Sequence, residues 1–130
     1  MSGLMKVLIT GSRNWSDRKA IETAMTKFKP EIIIEGGANG ADRMAKEYAN
    51  NNNKKVIEAK ANWEKYGKQA GPIRNAEMIS MKPDLVIAFS KDLNEDRGTR
   101  DTINKAIAKG IKVWLVKNKD EFEEIEPKSI

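Results

Sequence analysis

The chain contains no cysteine and no histidine among its 130 residues. The first absence removes disulfides, thiolate metal sites and thiol nucleophiles, and the second removes the commonest general base and metal ligand. Any chemistry must rest on carboxylates, hydroxyls, lysine, arginine or backbone donors, and neither a metal nor another cofactor is expected. Aromatic residues are scarce at 6%, and no apolar run approaches the roughly 18 residues of a membrane span. The N-terminus also lacks the apolar core of a signal peptide. The cytoplasm is the expected compartment, with no membrane partner.

What is present is a highly charged chain (33% Asp, Glu, Lys and Arg) of modest hydrophobic content (39%). At this length one domain, 1–130, with a sizeable core is expected. The net charge of +5 is uneven, because lysine and arginine exceed the acids in residues 1–60 whereas the two balance after residue 90. No basic block of five appears, so the balance permits nucleic acid binding without demanding it. The acidic run Asp120-Glu121-Phe122-Glu123-Glu124-Ile125-Glu126 reads as a solvated terminal helix or tail, about 118–130.

The most informative stretch is Glu35-Gly36-Gly37-Ala38-Asn39-Gly40-Ala41-Asp42, which follows the apolar run Ile32-Ile33-Ile34 and opens a helical pattern. Three glycines in five residues permit positive φ and let a ligand reach the main chain without meeting a Cβ. A helix starting near Gly40 would aim its unpaired N–H groups and positive dipole end into this turn, which suits an anion. A strand-to-helix turn that needs glycine for geometry alone is the competing reading. The stretch is neither a Walker A loop nor a regular GxGxxG.

Along the chain, strands alternate with helices. Met5–Thr10 is an apolar β-branched run ending in Gly11-Ser12-Arg13. Ser16 or Asp17 then caps a helix whose apolar positions Ala20, Ile21, Ala24, Met25 and Phe28 repeat at helical spacing, ended by Pro30. Glu31–Glu35 is a second strand, followed by a helix with the stripe Ala41, Met44, Ala45, Tyr48 and Ala49, stopped by asparagines 50–53. Lys55–Glu58 fits a short third strand, and residues 59–71, without a clear period, read as a long loop. Pro72 opens a third helix carrying Ile73, Ala76 and Ile79. Leu85–Phe89 is the fourth strand; Ile103, Ala106 and Ile107 mark a fourth helix that Gly110 caps, and Ile111–Val116 is the fifth strand. This alternation predicts an α/β fold, with a parallel sheet covered on both faces and a ligand crevice beyond the carboxyl ends of the strands.

Six blocks then fall in a recognisable order: Gly11-Ser12-Arg13 with Trp15 and Asp17; Gly36 to Asp42; Ala61 and Trp63 with Tyr66-Gly67; Ala70 to Met78; Pro83 to Phe89; and Arg97-Gly98-Thr99. The chain resembles the YspA-like branch of the SLOG superfamily, a set of Rossmann-like nucleotide-binding domains that includes the Lonely Guy phosphoribohydrolases and the DprA DNA-uptake proteins. The resemblance implies a three-layer Rossmann-like sandwich with five parallel strands in the order 3-2-1-4-5, and a nucleotide or nucleotide-derived ligand. A homo-oligomer is the expected assembly.

The ligand-binding residues expected on this basis are Gly11, Ser12, Arg13, Gly36, Gly37, Ala38, Gly40, Asp42, Arg74, Asn75, Gly98 and Thr99. Arg13 and Arg74 suit phosphate oxygens, for which the competing role is a surface ion pair. Trp63 or Tyr66 suits a base, although Trp63 can equally plug the edge of the core. Asp42 either complements its helix dipole or binds ribose hydroxyls. The Lonely Guy enzymes resemble this chain in carrying an arginine where Arg74 stands, but their PGGxGTxxE motif becomes Asn94 to Thr102 here, with Thr102 in place of the glutamate. Catalysis would need Asp101, Glu77 or Asp96 as the carboxylate, with Arg74 beside it. Three functions follow in order of preference: a sensor or binding module for a nucleotide-derived ligand, a nucleotide N-glycosidase, and a single-strand nucleic acid binder like DprA.

Overall fold

The computed structural model describes residues 4–125. Five parallel strands, β1 (Lys6–Gly11), β2 (Ile32–Glu35), β3 (Lys55–Glu58), β4 (Leu85–Phe89) and β5 (Val113–Asn118), are joined by a sixth, β6 (Glu121–Ile125), in the order β3-β2-β1-β4-β5-β6. The central strands β1, β2 and β4 read as apolar runs because both faces of the sheet are covered there. Successive side chains alternate between two cores. Val7, Ile9, Ile33, Ile87 and Phe89 pack with α1 (Arg18–Phe28) and α2 (Ala41–Asn51). Leu8, Ile34, Val86, Ala88 and Leu115 pack with α4 (Ala70–Ser80) and α5 (Arg97–Ala108).

The helix boundaries follow local chemistry. Asp17 caps α1 by accepting the Ala20 N–H at 3.1 Å, and Lys29 closes it in the left-handed region at φ 50° ahead of Pro30. Gly110 follows α5 at φ 74°, the conformation a helix end favours.

Two expectations change. Residues 59–71 are not one loop: Asn62 caps a single turn, α3 (Trp63–Tyr66), which passes through a 3-10 turn into α4 two residues ahead of Pro72. No residue of α3 is buried, so no apolar period could mark it. The described part of the acidic run is not a helix or free tail: Glu121–Ile125 is an antiparallel strand, which makes six strands rather than five among the described residues and the sheet mixed. Its turn is set where the Asn118 side chain accepts the Asp120 N–H at 2.9 Å. Phe122 packs towards Phe28 with ring centroids 6.4 Å apart, and Lys112 pairs with Glu124 across the strands at 2.9 Å. One aromatic anchor and a cross-strand ion pair hold an otherwise solvated strand. The remaining tail, 126–130, lies outside the described residues. Among the described residues no helix is long and apolar enough to cross a membrane.

Candidate functional site

The strand order reverses at β1, between β2 and β4, and there the turns after β1, β2 and β4 meet. They enclose a crevice of two compartments. One, of about 290 Å³, lies between the Gly11–Asn14 turn and the N-terminus of α5 and includes Asp42 and Asn75. The other, of about 350 Å³, lies beyond the glycine turn and includes Lys60, Ala61 and Trp63. Arg13, Ala38 and Arg74 line both. A more voluminous concavity, about 810 Å³, lies elsewhere, between α4 and α5 at the amino ends of β4 and β5. It is lined by Ala76, Ile79, Pro83, Ala108 and Ile111 with Ser80 and three lysines, Lys82, Lys105 and Lys109, and holds none of the residues of the glycine turns.

The glycine turn is already occupied by the protein's own carboxylates. Gly36 and Ala38 donate their N–H groups to Asp42 Oδ2 at 3.0 and 3.3 Å, and Gly37 donates to Glu35 Oε1 at 2.7 Å. Gly37, expected to meet the ligand with its backbone, therefore turns its N–H inward. The carboxylate that suits the α2 dipole is supplied by α2 itself. Burial pushes Asp42 up to about 6, against the opposing pull of those amides and of Arg74 and Arg13. Glycine is nonetheless required here by close approach. A Cβ at Gly36 would strike the Arg74 guanidinium, and one at Gly40 the carbonyls of Ser12 and Arg13.

The N-terminus of α5 is different. Its cap residue Asp96 makes no side-chain cap and instead accepts a short hydrogen bond from the Ser90 hydroxyl. The N–H groups of Arg97, Gly98 and Thr99 consequently have no partner among the described residues, and no acid stands in the first turn. Gly98 faces open space. This end of the crevice therefore presents unpaired backbone donors, with the carboxylates of Glu95 and Asp96 beside them.

Arg13 is exposed and makes no side-chain hydrogen bond or salt bridge among the described residues, although its charge acts on Asp42. Arg74 is half committed: Nη1 donates to the Gly36 carbonyl at 2.6 Å and Nε to Asn75 Oδ1 at 2.9 Å. It ties α4 to the glycine turn while still facing both compartments. Trp63, 51% exposed, does not plug the core. Its indole lies against Gly71, where a Cβ would sit 3.3 Å from the ring, and it walls the outer compartment. Tyr66 lies beside Lys65 and lines neither compartment.

Of the carboxylates expected as catalytic candidates, Asp96 lines the crevice but Glu77 and Asp101 do not. Glu77 is exposed on α4. Asp101 is held by Lys105 at 2.5 and 2.6 Å and by Asn75 Nδ2 at 3.0 Å, between α4 and α5. Thr102 is fully buried, its hydroxyl bonded back to the Gly98 carbonyl at 3.2 Å. Glu95 also lines the crevice; an exposed acid one residue before a cap carries no sequence signal. Among the described residues no three Asp or Glu side chains converge as a metal ion requires.

A mostly parallel sheet with helices packed on it and a crevice at the reversal of strand order defines an α/β protein. The family model of the YspA, cpYpsA-related SLOG family matches residues 5–66. The chain is 34% identical over 120 residues to the Gene 61 protein of Mycobacterium phage D29, covering 85% of this chain and 94% of that relative. No solved structure matches it at a significant level. The chain belongs to the YspA, cpYpsA-related SLOG family.

Proposed function

We propose that this protein is a binding module for a phosphorylated, nucleotide-derived ligand, seated with its phosphate at the N-terminus of α5. The observation that carries the reading is the contrast between the two helix ends in the crevice. The amides before α2 already hold a carboxylate, whereas those opening α5 are unpaired, with Arg13 exposed across the same compartment. An anion placed there gains backbone donors, a dipole end and a guanidinium together. Trp63 then offers a face for a base in the outer compartment.

The test is calorimetry with nucleoside 5′-monophosphates against the matching nucleosides. We expect the monophosphates to bind and the nucleosides to bind at least about tenfold more weakly, one charge-assisted hydrogen bond being worth about 1.5–3 kcal/mol. Equal affinities would overturn the reading.

A second reading, nucleotide N-glycosidase, is favoured by Asp42 and Asp96 lining the same compartment as Arg74, since an oxocarbenium-like centre needs an anionic neighbour. Release of free base from the same monophosphates, followed by chromatography, separates enzyme from binder.

A further inference from the structure

Asp42 is 6% exposed, yet it lines the inner compartment. Its Oδ2 is fixed by the Gly36 and Ala38 amides, which leaves Oδ1 without a partner among the described residues. That oxygen opens into the compartment, and a carboxylate oxygen accepts hydrogen bonds and offers none. Asp42 already takes the amides of the glycine turn, so the backbone donors left for the ligand's phosphate are those opening α5. The α5 N-terminus is the phosphate seat of the reading above, and Trp63 stands beyond Arg13 and Arg74 in the other compartment. The part of a nucleotide between phosphate and base is the sugar.

Resting on the nucleotide reading above, we propose that Asp42 is a specificity-determining residue that accepts hydrogen bonds from the ribose hydroxyls, so that the site takes ribonucleotides and discriminates against 2′-deoxyribonucleotides. Bound against Asp42, a deoxy ligand leaves that acceptor without a donor while its sugar covers the carboxylate and keeps water out. Sites built to bond a hydroxyl reject the analogue lacking it for this reason. Positioning comes from the glycine turn. Two amides hold the carboxyl in one orientation, and the Gly40 contact with the Ser12 and Arg13 carbonyls fixes the start of α2 against the first turn.

The experiment titrates the wild-type protein with the four ribonucleoside 5′-monophosphates and their four 2′-deoxy counterparts, and repeats the best pair with Asp42→Asn. We expect the ribonucleotide of that pair to bind about 10–100-fold more tightly, and Asp42→Asn to narrow the ratio to about threefold or less while the circular dichroism spectrum is retained. A wild-type ratio near one would overturn this proposal and leave the nucleotide reading standing. A full ratio in Asp42→Asn would place sugar recognition elsewhere. If none of the eight compounds binds at millimolar concentration, the nucleotide reading fails and this proposal fails with it. The wild-type comparison decides the matter even if the variant does not fold.

Discussion

A carboxylic acid with no accessible surface must find a cation or give up its charge, and Glu35 gives up its charge. It ends β2 in register with Glu58 on β3, and its Oε2 is buried with no donor to accept from. A proton on Glu35 turns that oxygen into a donor towards Glu58. Burial first, then this hydrogen bond, pushes Glu35 from an ordinary 4.5 up to about 8. Glu58 is drawn down to about 2 by the same bond and by Lys46. A raised carboxyl means that the folded state holds a proton the unfolded state has released. The stability Glu35 contributes is therefore complete below about 4.5 and is lost as pH rises through about 8. Glu35→Gln keeps both hydrogen bonds without the charge. Urea denaturation should show the variant gaining on wild type between pH 5.5 and 8.5 by at least about 1.4 kcal/mol, the value of one pKa unit; an equal difference at both pH values would mean that Glu35 is not protonated. Arg13 poses the opposite case, a charge held out in solvent beside a crevice. Arg13→Ala should weaken binding of a nucleoside monophosphate by about 1.5–3 kcal/mol, with the melting temperature of the free protein almost unchanged. A large fall in that temperature would make Arg13 a structural residue.

Helix α5 joins a functional end to a structural stripe. Its first turn opens into the crevice, and one turn later Thr102 and Ile103 are already in the core. Spacing from Gly98-Thr99 alone makes position 102 look like a site position, and its depth in the fold corrects that. Thr102→Glu, the change that would restore the hydrolase motif, puts a carboxylate where nothing is exposed. We expect it to cost several kcal/mol of stability, an unpaired buried charge being among the costliest substitutions, and to release no free base. Thr102→Val should stay within about 1 kcal/mol of wild type, because a hydroxyl bonded only to a neighbouring carbonyl contributes about that much. A stable Thr102→Glu protein that hydrolyses a monophosphate would show that the side chain reaches the crevice. Elements were legible in the sequence where a helical apolar period or an unbroken apolar run was bounded by a turn signal, as in α1, α2 and β4. They were hidden where an element is short and exposed, as in α3, or where charge masks an alternation, as in β6, whose Phe122 and Ile125 face opposite cores.

At the scale of the molecule, alternation of strand and helix was enough to place the crevice, because right-handed crossovers on a parallel sheet leave few places where turns from three strands can meet. Six of the twelve residues named for the site come from the first two glycine turns up to Ala38, which adjoin in space because β1 and β2 pair directly. What sequence could not give was the assignment of donors: whether a turn amide faces a ligand or an internal carboxylate depends on side chains four to six residues away, as with Asp42. That assignment bears on what the whole surface can bind. Arg13, Arg74 and Arg97 line the inner compartment together with Asp42, Glu95 and Asp96, so the crevice is a mixed-charge pocket and not a basic track, despite a net charge of +5. A nucleic acid strand binds by neutralising many phosphates, and engaging six or more of them costs about three or more powers of ten in affinity between 50 and 200 mM salt. One nucleotide engages one or two charges and should lose less than about tenfold over the same range. Titrating the protein with a nucleoside monophosphate and with a single-stranded oligonucleotide of about twenty bases at both salt concentrations separates the two modes. We expect the shallow dependence and no tighter binding of the oligonucleotide at the higher salt. A steep slope with preference for the oligonucleotide would move the functional surface out of the crevice and onto the lysines and arginines spread over residues 1–60.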